Sequence, residues 1–315
     1  MRTAVLTRPF MEDGFDALRE VCSIQTRAST SPPDEEALAV LVHDATALVA
    51  TAGDPVTDRV LAAGSGLRIV AQFGVGVDNI DLEAALQRGI VVTNTPGAVT
   101  DSTADLAFAL LLAVARKVPR SDQAVRSGSF SATGMGMELR GKVLGIIGLG
   151  RIGAAVGRRA IGFGMKVVYY NRNRANPTFE RESGSCRIPL AEVLAHSDVV
   201  SVHCALNADS YHMLDETVLR TMKPGAVLIN TARGAIVDEA ALARVLREGH
   251  LAGAGLDVFE AEPQVHPELL SQPRAVLLPH VGSRTREARE AMACMVTESI
   301  LTCLQNARRI PYRVV

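Results

Sequence analysis

The chain has 315 residues, too many for one ordinary domain and suited to two; 48% hydrophobic and 21% charged residues exclude global disorder. Its 33 basic and 34 acidic residues leave a formal net charge of −1, so no basic field exists to hold a nucleic acid or an anionic membrane. Only Lys117, Lys142, Lys166 and Lys223 of the basic residues are lysine, an imbalance that reads as base composition beside the many alanines.

The start, Met1-Arg2-Thr3-Ala4-Val5-Leu6, is broken by Arg8-Pro9 too early for a secretory apolar region. Ala4–Leu6, Ala47–Ala50, Arg68–Ala71 and Val91–Thr93 read as short strands, with helical patterns at Glu35–Val42, Thr57–Ala62 and Asp81–Gln87 between them. That alternation predicts a parallel sheet covered by helices. Asn94-Thr95-Pro96-Gly97 forms a turn cluster, and Thr100-Asp101-Ser102-Thr103 then caps a long apolar helix to about Arg116. Its all-round apolarity fits a domain or subunit interface, or equally the core of one domain. Within it, Leu106 to Ala115 is the longest strongly apolar run and is about half of what a membrane span needs. From Lys142 the alternation restarts, with strands at Val143–Ile147, Val167–Tyr170, Val199–His203, Val227–Asn230, Gly255–Phe259 and Ala275–Leu278. Several are apolar throughout, as expected for strands buried on both faces. The fold class is therefore α/β with doubly wound parallel sheets. Five cysteines without CxxC spacing fit reduced thiols and no metal centre, so a cytoplasmic protein is expected.

The most specific motif is Gly148-Leu149-Gly150-Arg151-Ile152-Gly153. It follows one apolar strand, opens a helix and precedes a second strand, which is the context a dinucleotide fingerprint requires. Gly148 permits the tight turn, Gly150 the approach of a pyrophosphate, and Gly153 the packing of helix on strand. The helix start offers free N–H groups and positive dipole to phosphates. After the second strand an NAD enzyme usually carries Asp or Glu for the ribose 2′-OH; here stand Asn171-Arg172-Asn173-Arg174. The acid is absent and two guanidinium groups replace it, which predicts preference for NADP(H), with NAD(H) as the alternative. Arg233, Glu262 and His280 each follow a predicted strand, on the side where ligands of doubly wound sheets bind. Together they supply an anion-binding cation, a carboxylate and an acid/base imidazole.

With Asn230-Thr231-Ala232-Arg233-Gly234, Asp257-Val258-Phe259-Glu260-Ala261-Glu262-Pro263, Pro279-His280-Val281-Gly282-Ser283 and Phe73-Gly74-Val75-Gly76-Val77-Asp78-Asn79-Ile80-Asp81, the chain resembles the D-isomer-specific 2-hydroxyacid dehydrogenases over nearly its whole length. Asn94-Thr95-Pro96-Gly97 and Thr103-Ala104-Asp105 also match. The resemblance implies a discontinuous flavodoxin-like substrate domain, 1–98 with 287–315, and a Rossmann NAD(P)-binding domain, 99–286, with the active site between them. A crossover helix is expected around Glu287–Leu304. It further implies that Val75 and Gly76 offer N–H groups to the substrate carboxylate and that Arg233 binds and polarises the oxo acid. His280 would exchange the proton, and Glu262 would tune it so that the imidazolium is available near neutral pH. Thr103, His203, Thr231, Ala232, Asp257 and Gly282 would line the cofactor beside the fingerprint and the Asn171–Arg174 segment, with Asp257 on the nicotinamide carboxamide. The absent acid and the Pro279–Ser283 form resemble the glyoxylate/hydroxypyruvate reductase branch, with 2-ketogluconate reductases close by. The phosphoglycerate branch keeps the NAD-type Asp, and formate dehydrogenases replace the residue at Glu262. Some hydroxypyruvate reductases carry a Trp near the position of Phe130 that reaches a neighbouring subunit; this chain has no Trp. A homodimer through Asp101–Arg116 and the loop to Leu139 is expected. The alternative of another class is an NAD(H)-sensing binding module such as a corepressor, since fold alone does not fix function.

Overall fold

The computed structural model describes residues 2–10, 14–131, 134–172 and 177–315. The chain folds as two units, Met1–Val99 with Ser283–Val315, and Thr100–Gly282. The first holds a five-stranded parallel sheet: β1 (Thr3–Leu6), β2 (Ser23–Thr26), β3 (Ala47–Ala50), β4 (Ile69–Gln72) and β5 (Val91–Thr93), in the order β2-β1-β3-β4-β5. This is the flavodoxin-like order. Its inner strands β3 and β4 are buried at every position. Edge strand β2, Ser-Ile-Gln-Thr, is polar and partly exposed, so no apolar run announces it. The last helix, Arg286–Leu304, returns to this unit and packs on β4, burying Met292, Val296 and Ile300.

The second unit holds seven parallel strands: β6 (Val143–Ile147), β7 (Lys166–Tyr170), β8 (Cys186–Arg187), β9 (Val199–Val202), β10 (Val227–Asn230), β11 (Gly253–Leu256) and β12 (Ala275–Leu277). Their order, β12-β11-β10-β9-β6-β7-β8, reverses direction between β6 and β9. That is the Rossmann order extended by one strand, with its switch point beside the fingerprint turn. β8 was not foreseen, because two exposed residues carry no strand signal.

The helix Thr100–Ala115 lies on β10, β11 and β12 and against the helix Arg151–Gly162. Phe108, Leu110 and Leu111 are buried within this one unit. Its apolar circumference is thus explained by the core of a single domain. A Cβ at Gly255 would lie 2.9 Å from Leu110 Cβ, so glycine in β11 lets the helix sit directly on the sheet. The same glycines displaced the expected strand: β11 runs Gly253–Leu256 and ends before Asp257. The polar edge of the helix, Asp101 and Asp105, is held by Arg159 at 3.2 and 2.7 Å. No helix among the described residues is long and apolar enough to cross a membrane.

Candidate active site

Strand β6 runs into Gly148, whose φ is +95°. A Cβ there would stand 2.4 Å from the backbone nitrogen of Cys204, so only glycine closes this turn against the segment after β9. Leu149 is buried, Arg151 is exposed and Ile152 is half-buried; Gly153 abuts the Gly148 carbonyl. Gly150 faces open space and caps the helix Arg151–Gly162 without any side-chain hydrogen bond. The helix start is therefore free to donate N–H groups. Five buried polar atoms in this unit lack a hydrogen-bond partner among the described residues, and two of them, Thr231 Oγ1 and His203 Nδ1, follow strands β10 and β9. The other ring nitrogen of His203 lies 2.7 Å from Ser201 Oγ, and burial pushes the His203 pKa down to about 4, so the ring is neutral near pH 7. Open space at Gly150, an uncapped helix start and two orphaned polar atoms fit a dinucleotide.

The segment after β7 is braced by Arg187, which donates to the carbonyls of Asn171 and Arg172 at 2.7 and 3.0 Å. Arg172 is exposed and pairs with Asp209 at 3.0 Å. Sequence reasoning missed Asp209, because nothing in its spacing links it to a residue 37 positions earlier. Asn173 and Arg174 lie outside the described residues.

Arg233 follows β10. The side chain of Asn230 accepts from Ala232 N–H at 3.0 Å and donates to the Arg233 carbonyl at 2.8 Å, which shapes the turn. A Cβ at Gly234 would fall 1.9 Å from the carbonyl carbon of Phe259. Glycine thus brings the Arg233 turn onto the segment that carries Glu262. His280 Nδ1 lies 2.7 Å from Glu262 Oε2, and Phe259 N–H reaches Glu262 Oε1 at 3.1 Å. Burial alone would raise the Glu262 carboxyl. The hydrogen bond and charge of His280, the Phe259 N–H and the charge of Arg233 outweigh it and hold the carboxyl below its ordinary value. Glu262 is therefore an anion across the neutral range, bonded to one ring nitrogen of His280.

His280 sits in the left-handed region at φ +52°. Its loop is held by Asp257, which accepts from Val281 and Gly282 N–H at 2.8 Å each. Asp257 is 1% exposed, and burial raises its pKa despite the two N–H groups and the charge of His280. Each of its oxygens thus accepts one bond from the His280 loop, a use that the motif reading did not foresee. Thr103 Oγ1 reaches the Gly282 carbonyl at 3.4 Å from the start of the long helix.

In the first unit, the loop after β4 carries Val75 and Gly76. Its carbonyls are tied back: Gly74 accepts from Thr95 N–H at 2.9 Å, Val75 from Asn94 at 2.7 Å, and Gly76 from Gln72 at 2.9 Å. Asn79 accepts from Gln72 and donates to the Thr51 and Asp54 carbonyls, each at 2.8 Å. The N–H groups of Val75 and Gly76 make no hydrogen bond among the described residues. The loop is therefore tied down through its carbonyls while these two donors stay unused. Gln72, Asn79 and Asn94 are positioning residues whose function shows only in three dimensions. The neighbouring recess is lined by Asp78 and Asp81 among others, a setting that repels a carboxylate.

Fold and fingerprint define an NAD(P)-binding oxidoreductase of doubly wound α/β architecture. The sequence profile described as D-isomer specific 2-hydroxyacid dehydrogenase, NAD binding domain, matches residues 108–282. A glyoxylate reductase of Thermococcus litoralis is 46% identical over 304 residues, covering 94% of this chain and 92% of that protein. A glyoxylate reductase of Pyrococcus furiosus is 45% identical, covering 94% and 90%. Among solved structures, an NADPH-dependent glyoxylate/hydroxypyruvate reductase from Sinorhizobium meliloti, in complex with NADP and malonate, aligns with a TM-score of 0.88 at 33% identity, covering 100% of this chain and 97% of that one. A protein from Thermus thermophilus aligns with a TM-score of 0.91 at 41% identity, covering 99% and 100%. The chain belongs to the D-isomer specific 2-hydroxyacid dehydrogenase family and is an NAD(P)-dependent enzyme of that family.

The Asp257 anchor yields a test. Asp257→Ala leaves the Val281 and Gly282 N–H groups without their acceptor, at a cost of roughly 2–4 kcal/mol. It should lower kcat on the order of a hundredfold by releasing His280. Urea unfolding and steady-state kinetics read both effects; normal turnover would show that the loop holds without Asp257.

Proposed function

We propose that this enzyme reduces a small 2-oxo acid of the glyoxylate/hydroxypyruvate type to the D-2-hydroxy acid with NADPH. The observation that carries the reading is the His280–Glu262 pair at 2.7 Å, with the charge of Arg233 on the same carboxylate. The names of the relatives support the substrate class. We assign the dinucleotide to the unit Thr100–Gly282 and the oxo acid's carboxylate to the Val75 and Gly76 N–H groups of the other unit. Arg233 binds carboxylate and carbonyl oxygen, orienting and polarising the ketone. NADPH, when bound, supplies a hydride to the carbonyl carbon. His280 gives its proton to the carbonyl oxygen, so the C=O double bond becomes C–H and O–H. Glu262 anchors the opposite ring nitrogen and stabilises the imidazolium before transfer. In the reverse direction His280 is the base.

Preference for NADPH rests on the absence of an acid after β7 and on Arg172, whose guanidinium would grip a 2′-phosphate. A homodimer is supported by the segment after the long helix: the helix Val118–Arg126 buries none of its residues, and Phe130 and Met135 are 97% and 91% exposed.

Three outcomes test this reading. His280→Gln should cut kcat at least a thousandfold with little change in coenzyme affinity by fluorescence titration; near-normal turnover refutes the assignment. Arg172→Ala should lower kcat/KM for NADPH about tenfold or more and leave NADH within about threefold; equal losses would refute the 2′-phosphate contact. Sedimentation should give a dimer that Phe130→Glu weakens, and a monomeric parent protein refutes it.

A further inference from the structure

Arg289 stands in the first turns of the helix Arg286–Leu304, in the first unit. Its guanidinium lies 5.5 Å over the ring of Phe73, which stacks on Phe10 at 4.6 Å between centroids. It is half-buried and has no hydrogen bond or ion pair among the described residues. The nearby acid is taken: Asp54, fully buried, pairs with Arg8 and accepts from Thr7 Oγ1 and Thr51 N–H. Arg8 itself keeps a buried Nε without a partner. Burial lowers the Arg289 pKa, and the positive charges of Arg284 and Arg8 act in the same direction. Arg8 has Asp54 as its counter-anion, whereas Arg289 is partly desolvated without one, a state that a ligand anion would relieve.

The position suits a ligand. Arg8 follows β1 and Phe73 follows β4, so the group stands at the carboxyl ends of the sheet, beside the reversal of strand order between β1 and β3. Doubly wound sheets bind their ligands there. The aromatic face below Arg289 fixes the plane of its fork, which favours a planar, bidentate carboxylate over a spherical anion. The loop that begins at Phe73 also carries Val75 and Gly76, whose N–H groups are assigned one carboxylate. Arg289 is a cation surplus to that need.

We propose that Arg289, backed by Arg8, is a second carboxylate subsite that extends the enzyme's substrates to 2-oxo dicarboxylates. This rests on the proposed 2-oxo acid reductase activity. The test is kcat/KM for oxaloacetate relative to glyoxylate in the parent enzyme, Arg289→Gln and Arg289→Lys. Arg289→Gln should lower the ratio at least tenfold, and Arg289→Lys should restore part of it; an unchanged ratio overturns the subsite. Calorimetric titration with malonate and with acetate reads the same subsite without turnover. Malonate should bind the parent protein at least tenfold more tightly than acetate, and Arg289→Gln should close the gap. An enzyme that reduces no 2-oxo acid refutes the reductase reading, while this malonate preference still reports on Arg289. Equal affinity for malonate and acetate in the parent protein overturns the subsite.

Discussion

The carboxylate of Asp257, buried at the end of β11, accepts the N–H groups of Val281 and Gly282 at 2.8 Å each, and the arrangement around His280 hangs on those two bonds. Charge-assisted bonds of this kind are strong, and they are made to backbone, which leaves the loop little freedom. They hold the residue before them, His280, in a left-handed conformation that a non-glycine side chain adopts at a cost. The imidazole is thereby presented to Glu262, with part of the ring still open to solvent. Glu262 is itself fixed by the Phe259 N–H, so two backbone-anchored acids position one imidazole. Removing the anchor would free the ring; removing Glu262 would leave a fixed ring without its counter-charge.

The same logic governs the first unit with neutral groups. Gln72, Asn79 and Asn94 consume the carbonyls of the loop after β4 and of the Thr51–Asp54 turn, and so leave the loop's N–H groups as its unused polarity. A loop with several carbonyls satisfied internally and N–H groups left over is disposed to meet an anion with those N–H groups. No net charge is needed for this.

Much of the architecture was legible because buried parallel strands must be apolar, and β3, β4, β9 and β10 are buried at every position. The misses have physical causes. Edge strands β2 and β8 are partly exposed and polar, so their signal is lost, and β11 is rich in glycine because a helix sits on it. Arg233, Glu262 and His280 could be nominated from their places after strands. Their mutual approach could not, because it depends on Gly234 meeting Phe259 across 25 residues of sequence. Asp209 on Arg172 and the solitary state of Arg289 are likewise facts of three dimensions. In a chain where nearly every basic residue is arginine, composition hides which of them is partly buried without an acid to meet it.

Near-neutral net charge conceals this local imbalance. Several exposed arginines here pair with acids at the surface, as Arg220 does with Glu216 and Glu248, and such pairs contribute little either way. Arg289 differs in being partly desolvated with no acid to meet it. Coulomb energy grows as the surroundings become less polar, so one unpaired guanidinium over an aromatic ring can direct an anion more strongly than many solvated pairs. On the proposed reading, it is the partial burial of Arg289 without an acid, and not the number of cations, that would select an anion.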